Sequence, residues 1–345
     1  METETPEKIY ILTHTDLDGY LSAGLAKHFY LRFDNPDAEF KIKHWTYGRD
    51  LPDAKYIEKK FDKVFVLDLC PDTDFMLELY DHFKDNLVWI DHHIVPDNEF
   101  LKEFEQKYPA ETIKGVRAKV EHVEAAVSLT WKYFVDNYKE HTWPSTFNYV
   151  PEWIKLSAEF DSWIRPDEKR WNEKVMPFFT YMKGKVKTGE EAYEFITHLV
   201  HTGAFFDVHT IHGPKNDEVD SYIKIGKMMY AELRNIYDVE AKHGFERTFD
   251  TLDASTGEIK TLKAWVCNTQ NRSSVIFETM ENVDDYDVFI PFHYNGEKYF
   301  YSMYTFKDDI ACNAVNVLDD NKNIKLTFRG HRDAAGSNSV EFAFS

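Results

Sequence analysis

Three short stretches place cation-binding and proton-carrying groups where a chain can present them together. THTDLDG, residues 13–19, sets His14, Asp16 and Asp18 on alternate positions before a glycine. VFVLDLCPD, residues 64–72, ends an apolar run on Asp68, and LVWIDHHIVPD, residues 87–97, leads straight into Asp91, His92 and His93. A fourth carboxylate, Asp161, closes the helical stretch IKLSAEFDSW. Each motif also has an ordinary reading. Asp16 or Asp18 suits a helix cap with Gly19 easing the turn, and Asp161 suits a helix-terminal turn. Asp72, after Pro71, fits the start of the helix that follows and is read as structural. Asp68 is harder to explain that way, because an unpaired carboxylate at a buried strand end costs roughly 3–5 kcal/mol and requires a cation. Adjacent histidines cannot face the same way along a strand, so His92 and His93 play different parts. As a set, these oxygen and imidazole donors suit manganese-like divalent ions better than thiolate-bound zinc. They are numerous enough for two ions, and a shared carboxylate can bridge ions about 3.5–4 Å apart, so that one polarises a phosphoryl oxygen and both activate water for in-line attack. The chemistry that follows is phosphoester hydrolysis.

These groups sit at the ends of predicted elements. KIYILT, FKIKHWTY, KVFVLDL and LVWID read as strands alternating with helical stretches such as GYLSAGLAKHFY, a β-α-β-α pattern. If the loop after KIYILT stays extended, alternate positions project to one side and His14, Asp16 and Asp18 converge. In a parallel sheet such loops emerge at the carboxyl ends of the strands, where sites form. Helical spacing resumes over 125–137, 151–160 and 190–200. TIHGPKNDE, residues 210–218, then opens a long helical pattern from Val219 to about His243. Beyond Gly244, TLKAWVCN, DYDVFIPFHY, EKYFYSMYTF, IKLTF and VEFAF read as strands separated by turns such as ASTGE and NGEK. The expected fold is α/β: a parallel-sheet domain with flanking helices over 1–210, a linker and linker helix over 211–243, and a smaller α+β domain with a mixed sheet over 244–345.

Composition narrows the partners. With 43% hydrophobic and 16% aromatic residues the chain can bury a substantial core, and 60 acidic against 41 basic side chains give a formal charge of −19. A surface of that sign repels polyphosphate backbones and argues against a binder of long duplex nucleic acid. Three cysteines without a CxxC pair, no secretion-type leader and no long apolar run predict a reduced, cytoplasmic protein without membrane tethering. A homodimer is compatible with the sequence.

The motifs, taken in order, resemble those of the DHH phosphoesterases, named for the tripeptide found here as Asp91-His92-His93. THTDLDG resembles the family's first motif, VLDLCPD its second, IDHH its third and AEFDSW its fourth. RGHRDAAG, residues 329–336, is similar to the glycine-histidine motif of the DHH-associated C-terminal domain, with Phe328 and Arg329 in place of two of three expected glycines. YSMYTFKDDIACNAV falls where that domain has its strand-then-helix lead-in. The resemblance covers nearly the whole chain and is weakest over 165–215. It implies that His14, Asp16 and Asp68 hold one divalent ion and that Asp18, Asp68, His92 and Asp161 hold a second, with Asp68 as the bridge. Manganese is the expected metal, with magnesium or cobalt as substitutes. His93 is implied to lie beside the scissile phosphate and Asp91 to fix a histidine ring. Arg329, Gly330, His331 and Arg332 are implied to bind the substrate's other end, with Asn271, Arg272 and Ser273 as weaker candidates for the cleft lining.

What the resemblance implies for function is hydrolysis of short oligonucleotides or small nucleotide phosphoesters by metal-activated water, without a covalent enzyme intermediate. Alternatives are 3′-phosphoadenosine 5′-phosphate dephosphorylation, cyclic-dinucleotide hydrolysis and exopolyphosphate hydrolysis. A processive RecJ-like nuclease is disfavoured by the acidic surface, and a manganese pyrophosphatase by the C-terminal motif. A reading of another class is a non-catalytic nucleotide-binding protein.

Overall fold

The computed structural model describes residues 5–47, 49–93, 124–138, 150–162, 167–202, 217–269, 274–277, 280, 282–307, 309–330 and 334–344. The chain divides into two compact units, Met1–Tyr230 and Ala231–Ser345.

In the first unit β1 (Lys8–His14), β2 (Glu39–Trp45), β3 (Lys63–Leu67) and β4 (Leu87–Ile90) form a parallel sheet in the order β2-β1-β3-β4. The chain moves outward from β1 to β2 and then returns to the other side of β1 with β3. The order therefore reverses between β1 and β3, and the carboxyl ends of these two strands open a crevice. Period-two alternation in the strands explains why both faces are apolar. Tyr10 and Leu12 join Val64, Val66, Leu87 and Trp89 in one buried cluster, while Ile9 and Ile11 are buried on the opposite side. α2 (Ala54–Lys60) and α3 (Thr73–Phe83) cover the first face with Ile57, Phe75, Met76, Leu79 and Phe83. α1 (Leu17–Phe33) and α4 (Ala126–Asn137) meet through Phe29 and Phe134, whose rings stack at 5.1 Å. Asp72 does cap a helix, accepting the Phe75 N–H at 2.9 Å. α5 (Glu152–Asp161), α6 (Met176–Lys185) and α7 (Gly189–Thr202) follow. A π-helical turn at Trp171–Val175 runs into α6, an element that sequence periodicity did not mark.

α8 (Asp217–Lys242) spans the boundary between the units. The second unit is one mixed sheet in the order β10-β9-β5-β6-β7-β8-β12-β11. Its strands are β5 (Phe245–Asp253), β6 (Ile259–Asn268), β7 (Val288–Tyr294), β8 (Tyr299–Tyr304), β9 (Val315–Leu318), β10 (Ile324–Thr327), β11 (Arg329–Gly330) and β12 (Ala334–Ser339). Among the described residues, only the β6–β7 pairing of this sheet is parallel. Two expectations fail here. VEFAF is not a strand. Phe344 is buried, Phe342 packs on the same core, and the Ala343 N–H donates to the Tyr301 hydroxyl at 2.9 Å, so aromatic burial rather than ladder pairing places this segment. The place beside β8 is taken instead by AAGSNS, a poor strand former by composition, which pairs with β8 over six residues. Nor, among the described residues, does an α-helix follow β8: Cys312–Ala314 is a single 3₁₀ turn that leads into β9. Among the described residues, no helix is long and apolar enough to cross a membrane.

The crossing of α1 and α7 leaves no room for a side chain at Gly24, where a Cβ would stand 2.6 Å from the Tyr193 nitrogen and 2.7 Å from the Ala192 carbonyl carbon. Backbone atoms cannot yield as a flexible side chain would, so Gly24→Ala is expected to cost about 1–3 kcal/mol. The urea midpoint measured beside wild type checks this.

Candidate metal and phosphoester site

β1 delivers His14 to the crevice, and the chain turns at once into α1. Asp16 is the N-cap, accepting the Gly19 N–H at 2.9 Å, and its other oxygen lies 2.6 Å from His14 Nδ1. The cap reading and the site reading therefore describe one residue. Gly19 is needed because a Cβ there would lie 2.7 Å from the His14 carbonyl oxygen. The expectation of an extended loop fails, however. Helical geometry begins at Leu17, so Asp18 points away from the His14–Asp16 pair and joins a different set of partners. Its two oxygens accept the Ala126 and Val127 N–H groups at 2.6 and 2.8 Å, at the first turn of α4. Asp18 thus satisfies orphan donors of a helix far along the chain rather than those of its own.

Asp68 follows β3 directly and is 1% exposed. Its φ of 56° lies in the left-handed region that side chains other than glycine rarely adopt. The Asp68 N–H still donates to the Ile90 carbonyl at 2.9 Å, so the neighbouring strand holds the unusual conformation in place. One carboxylate oxygen stands 3.2 Å from His92 Nε2 and 3.9 Å from His93 Nδ1, and the other 3.8 Å from His14 Nδ1. Asp161, the last residue of α5, lies 3.2 Å from His92 Nε2. Asp91 is fully buried and its carboxylate is 2.7 Å from His93 Nδ1.

Three groups of donors result, His14 with Asp16 and Asp68, Asp18 with His92 and Asp161, and Asp68 with His92 and His93, each with its atoms within 4.8 Å of one another. The residues fit divalent cations. The donors are carboxylate oxygens and imidazole nitrogens, and the buried Asp68 Oδ2 accepts no hydrogen bond. Substrate-motif residues His331 and Arg332, and Asn271, Arg272 and Ser273, lie outside the described residues. Arg329 and Gly330 form β11, paired with Gly336 and Ala335.

Electrostatics show the stress of this crowding. Burial, with the charges of Asp16, Asp18, Asp161 and Asp91, drives the Asp68 carboxyl far above its ordinary range. Burial and the Asp161 charge push Asp18 up to about 8, and burial and Asp16 push Asp161 up to about 7. Burial works to lower His93, but the charge and hydrogen bond of Asp91 outweigh it and raise it to about 9. His92, by contrast, is lowered by burial. Tyr47, which sequence reading missed, flanks the site: its ring centroid lies 5.7 Å from His14 and 5.8 Å from His93. Its only local signal is its place as the last residue of a predicted strand.

The sign of the pH dependence follows. Folded Asp18 and Asp161 hold protons that the unfolded chain releases near its ordinary carboxylate range, and folded His93 holds one above its ordinary value. All three contributions are therefore present at low pH and lost as pH rises towards the folded values. Chelator-treated protein is expected to show a melting temperature that falls between about pH 5 and about pH 8, with divalent ion restoring most of the loss at the upper end. Thermal melts with chelator and with Mn2+ check it, and a metal-free melting temperature that rises over this range would contradict the assignment.

No protein-family model matches the chain, and no curated protein does. Among solved structures, the chain is similar over 97% of its length to 50% of RecJ from Thermus thermophilus, determined with Mn2+, at 10% identity and a TM-score of 0.47. The chain thus spans about half the length of that RecJ. It is also similar to an exopolyphosphatase-related protein from Bacteroides fragilis, at 11% identity over 99% of this chain and 88% of that one, with a TM-score of 0.45. A third is PggH, a pGpG-specific phosphodiesterase from Vibrio cholerae, at 11% identity over 97% of this chain and 94% of that one, with a TM-score of 0.41.

Proposed function

We propose that the protein is a metal-dependent phosphoesterase of the DHH type that hydrolyses short oligonucleotides or small nucleotide phosphoesters. The observation that carries this reading is the position of Asp68, whose two carboxylate oxygens face two different donor groups, His14 on one side and His92 on the other. That is the arrangement a bridging carboxylate requires. His14, Asp16 and Asp68 would hold one ion, and Asp18, Asp68, His92 and Asp161 the other. When bound, the pair of ions supplies Lewis-acid polarisation of the phosphoryl group and activates water.

The remaining steps belong to the protein's own groups. His93, held protonated by Asp91, stands 3.9 Å from Asp68 and is placed to donate to a phosphoryl oxygen or to neutralise charge as the ester bond breaks. Asp91 fixes that ring through its contact with Nδ1 at 2.7 Å. Asp16, at 41% side-chain exposure, marks the open side of the site, whereas Asp18 and Asp68 form its floor at 1% and 2%. The formal charge of −19 supports short substrates that need no long basic track.

The test is product formation by chromatography, with Mn2+ and with chelator, from a dinucleotide, a five-nucleotide RNA, 3′-phosphoadenosine 5′-phosphate, a cyclic dinucleotide and polyphosphate. Metal-dependent mononucleotide release from the shortest oligomers is expected. Tight nucleotide binding without turnover of any member would replace the enzyme with a binding protein. Two variants divide the metal sites. Asp68→Ala is expected to abolish turnover and weaken both ions, whereas Asp161→Ala should leave the His14–Asp16–Asp68 group able to bind, with calorimetric stoichiometry dropping from two Mn2+ to one.

A further inference from the structure

The aromatic ring beside the metal-type donors has no role in the reading so far. Tyr47 lies just beyond the carboxyl end of β2, and its ring forms a nearly equilateral triangle with those of His14 and His93, with centroid separations of 5.7, 5.8 and 6.1 Å. A tyrosine kept only for packing would be buried, whereas Tyr47 is 46% exposed as a residue. It is nevertheless firmly held. The Cys70 N–H, two residues beyond Asp68, donates to the Tyr47 hydroxyl oxygen at 3.0 Å. Behind it the Trp45 ring packs at 5.1 Å, and the Trp45 indole N–H donates to the Arg49 and Asp50 carbonyls at 3.1 Å each, closing the turn that carries Tyr47. The hydroxyl oxygen is thus fixed as an acceptor, while among the described residues its proton is donated to nothing. A phenol remains protonated at neutral pH, and one placed beside the bridging carboxylate and the His93 ring is a preorganised donor.

We propose that Tyr47 contacts the substrate directly, donating its hydroxyl proton to a non-bridging oxygen of the phosphate that lies against the His14 and His93 rings. This rests on the phosphoesterase reading and gives the site a neutral donor beside its carboxylates. It also explains why the Cys70 backbone, rather than a side chain, positions the hydroxyl. A backbone N–H can only donate, so it cannot compete with phosphate for the Tyr47 proton.

The experiment is calorimetric binding of inorganic phosphate and of a 5′-mononucleotide to the Mn2+-saturated full chain as wild type, Tyr47→Phe and Tyr47→Leu. Mn2+ titrations should be the same in all three. Phosphate and mononucleotide affinity should both fall about tenfold or more in Tyr47→Phe, as expected for losing a hydrogen bond to a charged group. Phosphate affinity unchanged in Tyr47→Phe would overturn the proposal. So would mononucleotide weakening confined to Tyr47→Leu, which would assign the ring to base stacking, and so would loss of Mn2+ binding in Tyr47→Phe, which would make the residue a brace for the metal donors. Failure of wild type itself to bind phosphate in the presence of Mn2+ would remove the phosphoesterase reading and this proposal with it, an outcome distinct from the three above.

Discussion

The structure depends on how it tolerates carboxylates crowded at one sheet edge. Asp18, Asp68 and Asp91 are almost or wholly removed from water, with Asp161 close by. Burial penalises each charge, and each charge penalises the next, so the carboxyls of Asp18, Asp68 and Asp161 are all raised. Protons relieve this repulsion at low pH, and divalent cations held as proposed would relieve it at neutral pH. Replacing one of these groups by an apolar residue would suit stability better, so their presence together supports the proposed site, in which stability is exchanged for chemistry.

The fold meets that cost with rigid supports. The order reversal between β1 and β3 leaves a crevice at their carboxyl ends, and three of the four ligand-bearing segments open onto it from β1, β3 and β4. Asp68 holds a left-handed backbone because its N–H completes the pairing of β3 to β4. That turn aims the carboxylate across the crevice, where a continued strand would have sent it to one face of the sheet. Asp18 is fixed by two N–H groups of α4, whose N-terminal end favours negative charge. The donors are thus set by backbone before any ion arrives.

Most of the first unit was legible in the sequence because its signals are local. Apolar runs ending in Asp68 and Asp91 marked strand ends, and period-two and helical spacings placed the intervening elements. Convergence of four segments followed from the family resemblance and could not be read from any one segment, since each motif alone fits a cap or a turn. Asp16 is in fact a cap as well as a member of the cluster. What stayed hidden depends on long-range packing. The capping of α4 by Asp18 joins residues 108 and 109 positions apart, and no local pattern announces it. In the second unit VEFAF has the composition of a strand and AAGSNS does not, yet the Tyr301 hydroxyl and the aromatic core claim the first while the β8 edge claims the second. Tyr47 sits in a turn whose geometry, not its composition, brings the ring to the site.

The division of labour within the tripeptide shows how small differences in partners set opposite chemistry. His92 and His93 are adjacent, both partly buried and both near Asp68. His92 faces Asp18, Asp68 and Asp161 at 3.2–3.7 Å but makes no hydrogen bond to them as short as the one between His93 and Asp91 at 2.7 Å. Burial therefore prevails at His92 and favours the neutral imidazole, whose nitrogen lone pair can bind a cation. At His93 the Asp91 contact prevails and favours the protonated ring, which can only donate. The alternation of side chains at a strand end sends the two rings to different partners. Under the proposed reading one would serve as a ligand and the other as a proton carrier, without any difference in residue type.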